Sequence, residues 1–325
     1  MQRMIATGFS IGILMLAASA VLGQAGSAGS GLFFPIKTIR IVTAESGSGN
    51  DIMARLIATG IAGSMGQAVI VDNRGMTAIE ITAKSPPDGY TLLSFGPPLW
   101  IMPLMRGDTS WNPVRDFAPI TLAMSTFSIL AVHPSLPVKS VSELLALARA
   151  KPGELNYAGT FPGSSAHLAG ELFKFMAGVN IVYVPYKGPA SALAALKGGE
   201  THVTFANSAA TMPPVKSGRL RALAITSALS SALAPGLPTV AAAGLPGYES
   251  ASPLGLFAPA RTPDAIIARL NQEMVKVLNA ADVKDRLSGS GAEVIASAPE
   301  ELAATIKADM TRLGRLIRDA GIRAD

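Results

Sequence analysis

The sequence predicts an α/β protein of two lobes, each built on a mostly parallel sheet. Three observations carry that expectation. The 325 residues exceed one ordinary domain and suit two lobes of roughly 100 to 150 residues. Short β-branched apolar runs alternate with segments of helical spacing along most of the chain. Two punctuated stretches, Ala131-Val132-His133-Pro134-Ser135-Leu136-Pro137 and the Pro/Gly-rich run from Pro235 to Gly247, fall symmetrically enough to mark two crossings between lobes.

Taken in order, the N-terminus reads as a secretory signal peptide over residues 1–25. Arg3 supplies the positive end, residues 8–22 form an apolar stretch, and Ala18-Ser19-Ala20 offers a small-x-small cleavage pattern. The apolar run is shorter than the ~20 residues a membrane span needs, which disfavours a retained anchor. A lipid anchor is excluded because the chain has no cysteine. Ile39 to Thr43 predicts a strand and Asn50 to Ile61 a helix; Val69 to Val71 and Tyr90 to Phe95 predict further strands. Beyond them, strands over Leu155–Ala158, Ile181–Val184, Val203–Phe205 and Leu220–Thr226 alternate with helices over Val141–Ala150, Ser164–Met176 and Ala190–Lys197. Helices over Pro263–Leu278 and Pro299–Ala320 close the chain. Residues 31–130 plus 249–325 then make one lobe and 131–248 the other, with the hinge near 131 and 248. Such sheets bind ligands outside the carboxyl ends of their strands.

Composition narrows the function. Hydrophobic residues at 49% and charged residues at 15% describe a globular chain. The net charge of +5 is dispersed and forms no basic run, so no nucleic-acid partner is expected. The absence of cysteine removes thiolate nucleophiles and Cys-ligated metals. His133, His167 and His202 lie too far apart for a sequence-local metal site, and there is no Gly-x-Ser-x-Gly elbow, Walker lysine loop or His-Glu-x-x-His. Neither a cofactor nor catalysis is expected.

Two small-residue turns opening helices are the candidate binding elements. Ser46, Gly47, Ser48, Gly49, Asn50 and Asp51 follow the first strand; Gly159, Thr160, Gly163, Ser164, Ser165 and His167 follow the strand ending at Ala158. Glycines admit close backbone approach, and the unpaired N–H groups and dipole of a helix start suit an anion. Asn50 or Asp51 also reads as a plain helix cap.

Seven ordered segments then carry a resemblance. They are Pro87-Asp88-Gly89-Tyr90-Thr91-Leu92-Leu93, Asp116-Phe117-Ala118-Pro119, His133 to Pro137, Leu155 to Ala158, His167-Leu168-Ala169-Gly170-Glu171, Val184-Pro185-Tyr186-Lys187-Gly188, and Gly244-Leu245-Pro246-Gly247-Tyr248-Glu249. Through them nearly the whole mature length resembles the periplasmic solute receptors of tripartite tricarboxylate transporters, the Bug receptors. The resemblance implies a two-lobed Venus-flytrap fold of the type II periplasmic-binding-protein class. It also implies capture of a small carboxylate solute, and delivery to a membrane transporter of one large and one small subunit. A monomer in the periplasm is expected. Alternatives are a ligand-presenting receptor for a membrane sensor and an enzyme on the same fold. The resemblance adds Tyr186, Lys187 and Gly188 to the expected ligand-binding set, which also includes Gly75, Asn207 and Ser94, the last as a substitute donor beside the Gly75 loop.

Departures from the family pattern matter equally. The segment after Asn73-Arg74 is shorter than in the family and lacks its second Gly-Asn pair, Ala206 follows Phe205 where an Asp is frequent, and Glu45 stands where small residues or proline are usual. A carboxylate at 45 would repel an anion. Either a ligand with one carboxylate and a less polar remainder or weak binding is therefore expected, with Met76, Phe95, Trp100 and Phe161 as candidates for the apolar side.

Overall fold

A computed structural model describes residues 34–160 and 163–323; the signal peptide expected over residues 1–25 and Phe161 lie outside the described residues. Strand β1 (Ile39–Thr43) lies between β2 (Val69–Asn73) and β3 (Thr91–Phe95), parallel to both. Helix α1 (Gly49–Met65) joins β1 to β2. It starts where Ser48 Oγ accepts the Asp51 N–H and stops at Gly66, whose φ of 65° ends the helical path. Met53, Ile57, Ile61 and Met65 recur at helical spacing and bury one face. Helix α2 (Thr77–Ala83) follows β2, and α3 (Pro98–Arg106) follows β3.

Strand β4 (Phe117–Val132) is the axis of the molecule. Its residues Phe117 to Phe127 pair antiparallel with β9 (Ala251–Pro259), which in turn pairs antiparallel with β3. From Ser128 onward β4 pairs instead with β7 (Val203–Asn207) and β8 (Arg221–Ile225). The chain therefore exchanges one set of partners for another at Phe127/Ser128. Beyond β7 lie β5 (Asn156–Gly159) and β6 (Val182–Pro185), both in parallel register, giving the order β2-β1-β3-β9-β4-β7-β5-β6. Short β10 (Ala292–Val294) adds to β4.

The α/β class holds, and the outer strands of both half-sheets are parallel as expected. The middle is not: β4 runs antiparallel to every strand it touches. A strand shared by both half-sheets leaves one and enters the other, so the strands that return beside it run the opposite way. Residues 131–132, read from sequence as the opening of a linker, are the last two residues of this strand.

Helices α4 (Val141–Ala150), α5 (Ser165–Ala177), α6 (Pro189–Gly198) and α7 (Ser208–Lys216) belong to the second half-sheet. The chain then returns through β9 to α8 (Asp264–Leu278), α9 (Ala281–Gly289) and α10 (Pro299–Asp319). One apolar core runs through both halves, from Leu93 and Phe257 on one side to Phe173, Phe205 and Tyr248 on the other. The Tyr248 hydroxyl is buried and donates to Ala169 O at 2.9 Å. Among the described residues no helix is long and apolar enough to cross a membrane.

Candidate functional site

A cavity of about 920 Å³ opens where the carboxyl ends of β1, β3, β5 and β7 meet the exchange point of β4. Five helices begin at its wall: Ser48 caps α1, Pro97 precedes α3, Ser164 caps α5, Pro189 opens α6 and Asn207 caps α7. Their unpaired N–H groups and dipoles place partial positive charge around one volume. Thr126 to Ser128 and Ser250 to Ser252 form its floor at the two crossing segments.

Of the residues expected from sequence, Ser48, Asn50, Gly159, Thr160, Gly163, Ser164, Ser165 and Asn207 line this cavity. The remainder stand behind it or beside it. Gly47 and Asp51 are bound to each other, the Gly47 N–H donating to Asp51 Oδ2 at 2.9 Å. Burial pushes the Asp51 carboxyl up, but the Gly47 N–H, Arg55 and Asn73 together hold it below the usual carboxylate range. Asp51 is thus a structural staple of the turn, and Ser46 and Gly49 are likewise off the wall. Ser94 is buried, its Oγ donating to Asn50 O and its own carbonyl accepting from Thr43 Oγ1, so it ties β1 and β3 to α1.

His167 also lies one layer back. Its Nδ1 accepts the Gly163 N–H at 3.1 Å, its ring packs on Tyr183 with centroids 4.5 Å apart, and its backbone N–H donates to Ser164 Oγ. Burial holds its pKa below the ordinary value. Tyr186, Lys187 and Gly188 do not reach the wall. The Tyr186 N–H is spent on Gly159 O, and Gly188 caps α6 with Ser191, so the face of α6 (Ala192, Leu193) takes the place expected of the loop. Gly75 lies behind Glu45, while its neighbour Met76 lines the cavity.

The apolar wall differs in part from expectation. Met76 and Phe95 line it, but Trp100 is buried in the core with its indole N–H donating to Asp309 Oδ2 at 3.3 Å. Ile101, Met102 and Met105 of α3 stand in its place, facing Leu168, Leu193 and Leu313. Sequence reasoning missed these, together with Arg312 and Arg323. Helix α10 delivers Arg312 beside Asp309, Nη2 to Oδ1 at 2.7 Å, and its other nitrogen donates to Glu249 O. Only the folded chain brings residue 312 to a cavity that residue 45 also lines. Among the described residues no group of three or more His, Asp or Glu could hold a metal ion.

The family model described as the tripartite tricarboxylate transporter family receptor matches residues 53–322. The chain belongs to that family. The receptor is 32% identical to protein BugT of Bordetella pertussis over 297 residues, 89% of this chain and 91% of that one. Among solved structures, an R. palustris protein with adipate is 36% identical with a TM-score of 0.74, covering 89% of this chain and 99% of that one. MatC from Rhodopseudomonas palustris with bound malate is 28% identical with a TM-score of 0.71, covering 87% and 100%. The family and structural neighbours such as the periplasmic binding protein BugD, 26% identical with a TM-score of 0.72, are solute-binding receptors and not enzymes, and the receptor shares their fold.

Proposed function

We propose that the receptor captures a small carboxylate-bearing solute in this cavity and delivers it to a tripartite membrane transporter of one large and one small subunit. The observation that carries the reading is the gathering of five helix starts around a single cavity at the carboxyl ends of the strands. Adipate and malate in the two similar structures support a carboxylate as ligand. The reading includes export to the periplasm behind a cleaved signal peptide over residues 1–25. The two half-sheets act as lobes that hinge at Phe127/Ser128 and at the return between Thr226 and Ala251.

Methionines 76, 102 and 105 with Phe95, Ile101 and Leu313 give one wall flexible, polarisable apolar surface. The favoured ligand therefore has a carboxylate at one end and an apolar body of several carbons. A thermal-shift screen of mono-, di- and tricarboxylates tests this, because a ligand that binds only the folded state raises its midpoint, by about 2.7 kcal/mol of stability at a hundredfold excess over Kd. Medium-chain and aromatic carboxylates are expected to stabilise most. Stabilisation by citrate and not by any apolar acid would overturn the solute class, and no response to any carboxylate would overturn the function.

A further inference from the structure

We propose that Glu45 is a charge filter in the cavity, favouring a carboxylate ligand that also carries a cationic nitrogen over a dicarboxylate. The proposal rests on the carboxylate reading above. Glu45 follows buried Ala44 at the end of β1 and lines the cavity. Among the described residues its carboxylate has no ion-pair partner. Glu45 Oε1 lies 2.9 Å from the place a Cβ on Gly75 would occupy, so its carboxylate reaches over the turn after β2.

Asn50 on the same turn points the same way. Asn50 lines the cavity, and its Oδ1 is closed to solvent with no hydrogen-bond partner, so an acceptor beside the cavity is left unanswered by the protein. Neither group has a donor from another side chain of the described residues, and a protonated amine supplies that chemistry. The cations of the cavity do not answer the need. Arg312 is committed to Asp309 and to Glu249 O, and no ion pair joins either Arg312 or Arg323 to Glu45. A second ligand carboxylate at this turn would meet a like charge, with no cation from the protein between them.

The test uses four probes of matched length with the purified receptor: hexanoate, adipate, 6-aminohexanoate and hexylamine, titrated calorimetrically against the native protein and E45Q. A charge contact at an exposed carboxylate is worth about threefold in affinity, and exchanging repulsion for attraction counts it twice, about tenfold. The native receptor is expected to bind 6-aminohexanoate about tenfold more tightly than adipate, with hexanoate between them, and E45Q should collapse the ratio. Glu45 is exposed and unpaired, so E45Q should melt with the native protein; E45A provides a second variant. Adipate binding as tightly as 6-aminohexanoate to the native receptor, or a ratio that E45Q leaves unchanged, overturns the filter while the carboxylate reading stands. Glu45-dependent binding of hexylamine, with none of the three carboxylates bound, overturns the carboxylate reading and leaves Glu45 as a cation site. No binding by any of the four overturns both.

Discussion

At the residue scale His167 shows how a buried side chain sets the shape of a binding turn without touching the cavity. Its Nδ1 serves as acceptor for the Gly163 N–H, and Gly163 has a φ of 85° that favours glycine. Protonation would turn that acceptor into a donor and oppose the bond. Burial lowers the His167 pKa, Glu171 raises it and Lys174 lowers it again, for a net shift below 6.5. A histidine with a depressed folded pKa binds its proton more readily when unfolded. Its contribution to stability is therefore complete above about pH 6.5 and lost as pH falls from there to the lower folded value. Denaturant unfolding at a series of pH values should show this decline, and H167Q, which keeps an acceptor but cannot titrate, should flatten it. An unchanged pH profile in H167Q would assign the decline to other groups.

Elements are held at distances that particular glycines permit. Gly170 in α5 faces Tyr157 of β5, and a Cβ there would fall 2.4 Å from Tyr157 Cε2. Tyr157 cannot retreat, because it is buried between Tyr183 and Phe205 and its hydroxyl donates to Glu171. Gly170→Ala should therefore cost about 1 to 3 kcal/mol by overpacking, even though alanine is the better helix former. Gly63 in α1 is also helical, but it is exposed and nothing lies within 4 Å of its would-be Cβ. There the same substitution should stabilise by about 0.5 to 1 kcal/mol. Unfolding midpoints of the two variants should move in opposite directions; a shared direction would show that α5 does not sit on β5 as closely as described.

For the whole molecule the question is what holds the two crossings together. Thr226 is fully buried there, its Oγ1 accepting the Ser128 N–H at 2.8 Å and donating to Ser250 O at 2.7 Å. Its backbone N–H and carbonyl pair with Ser128 O and the Ser250 N–H. One side chain thus clamps the outgoing and returning strands where the proposed hinge lies. Thr226→Val keeps the shape and strands the buried Ser128 N–H, at about 1 to 3 kcal/mol, along with the part-buried Ser250 carbonyl. The variant should unfold at lower denaturant. Small-angle scattering of the native receptor should show a smaller radius of gyration with a saturating ligand than without. Superimposable curves would remove the hinge from the proposal.

Local chemistry alone determined much of this protein. Strand β1, helix α1, helix α4 and the turn at Gly159 were legible because apolar period and glycines act within a few positions, although the α1 cap, expected at Asn50 or Asp51, is Ser48. Seven segments of family phrasing, read in order, pointed to the receptor family that the match over residues 53–322 shows. Other elements were hidden by their own prolines. Helix α3 carries Pro98 and Pro103, α7 carries Pro213 and Pro214, and β4 and β9 carry Pro119 and Pro253, residues that read as breaks unless partners elsewhere are known. Which half of the binding turns faces the cavity was decided only by the fold. Glu45 and Asn50 reach the wall while Asp51 turns inward to Gly47 and Arg55, and Arg312 arrives on a helix from the far end of the chain. Propensity and capping energies depend on neighbours in sequence. The direction a side chain takes, and the charge it meets there, depend on packing between residues that the sequence holds hundreds of positions apart.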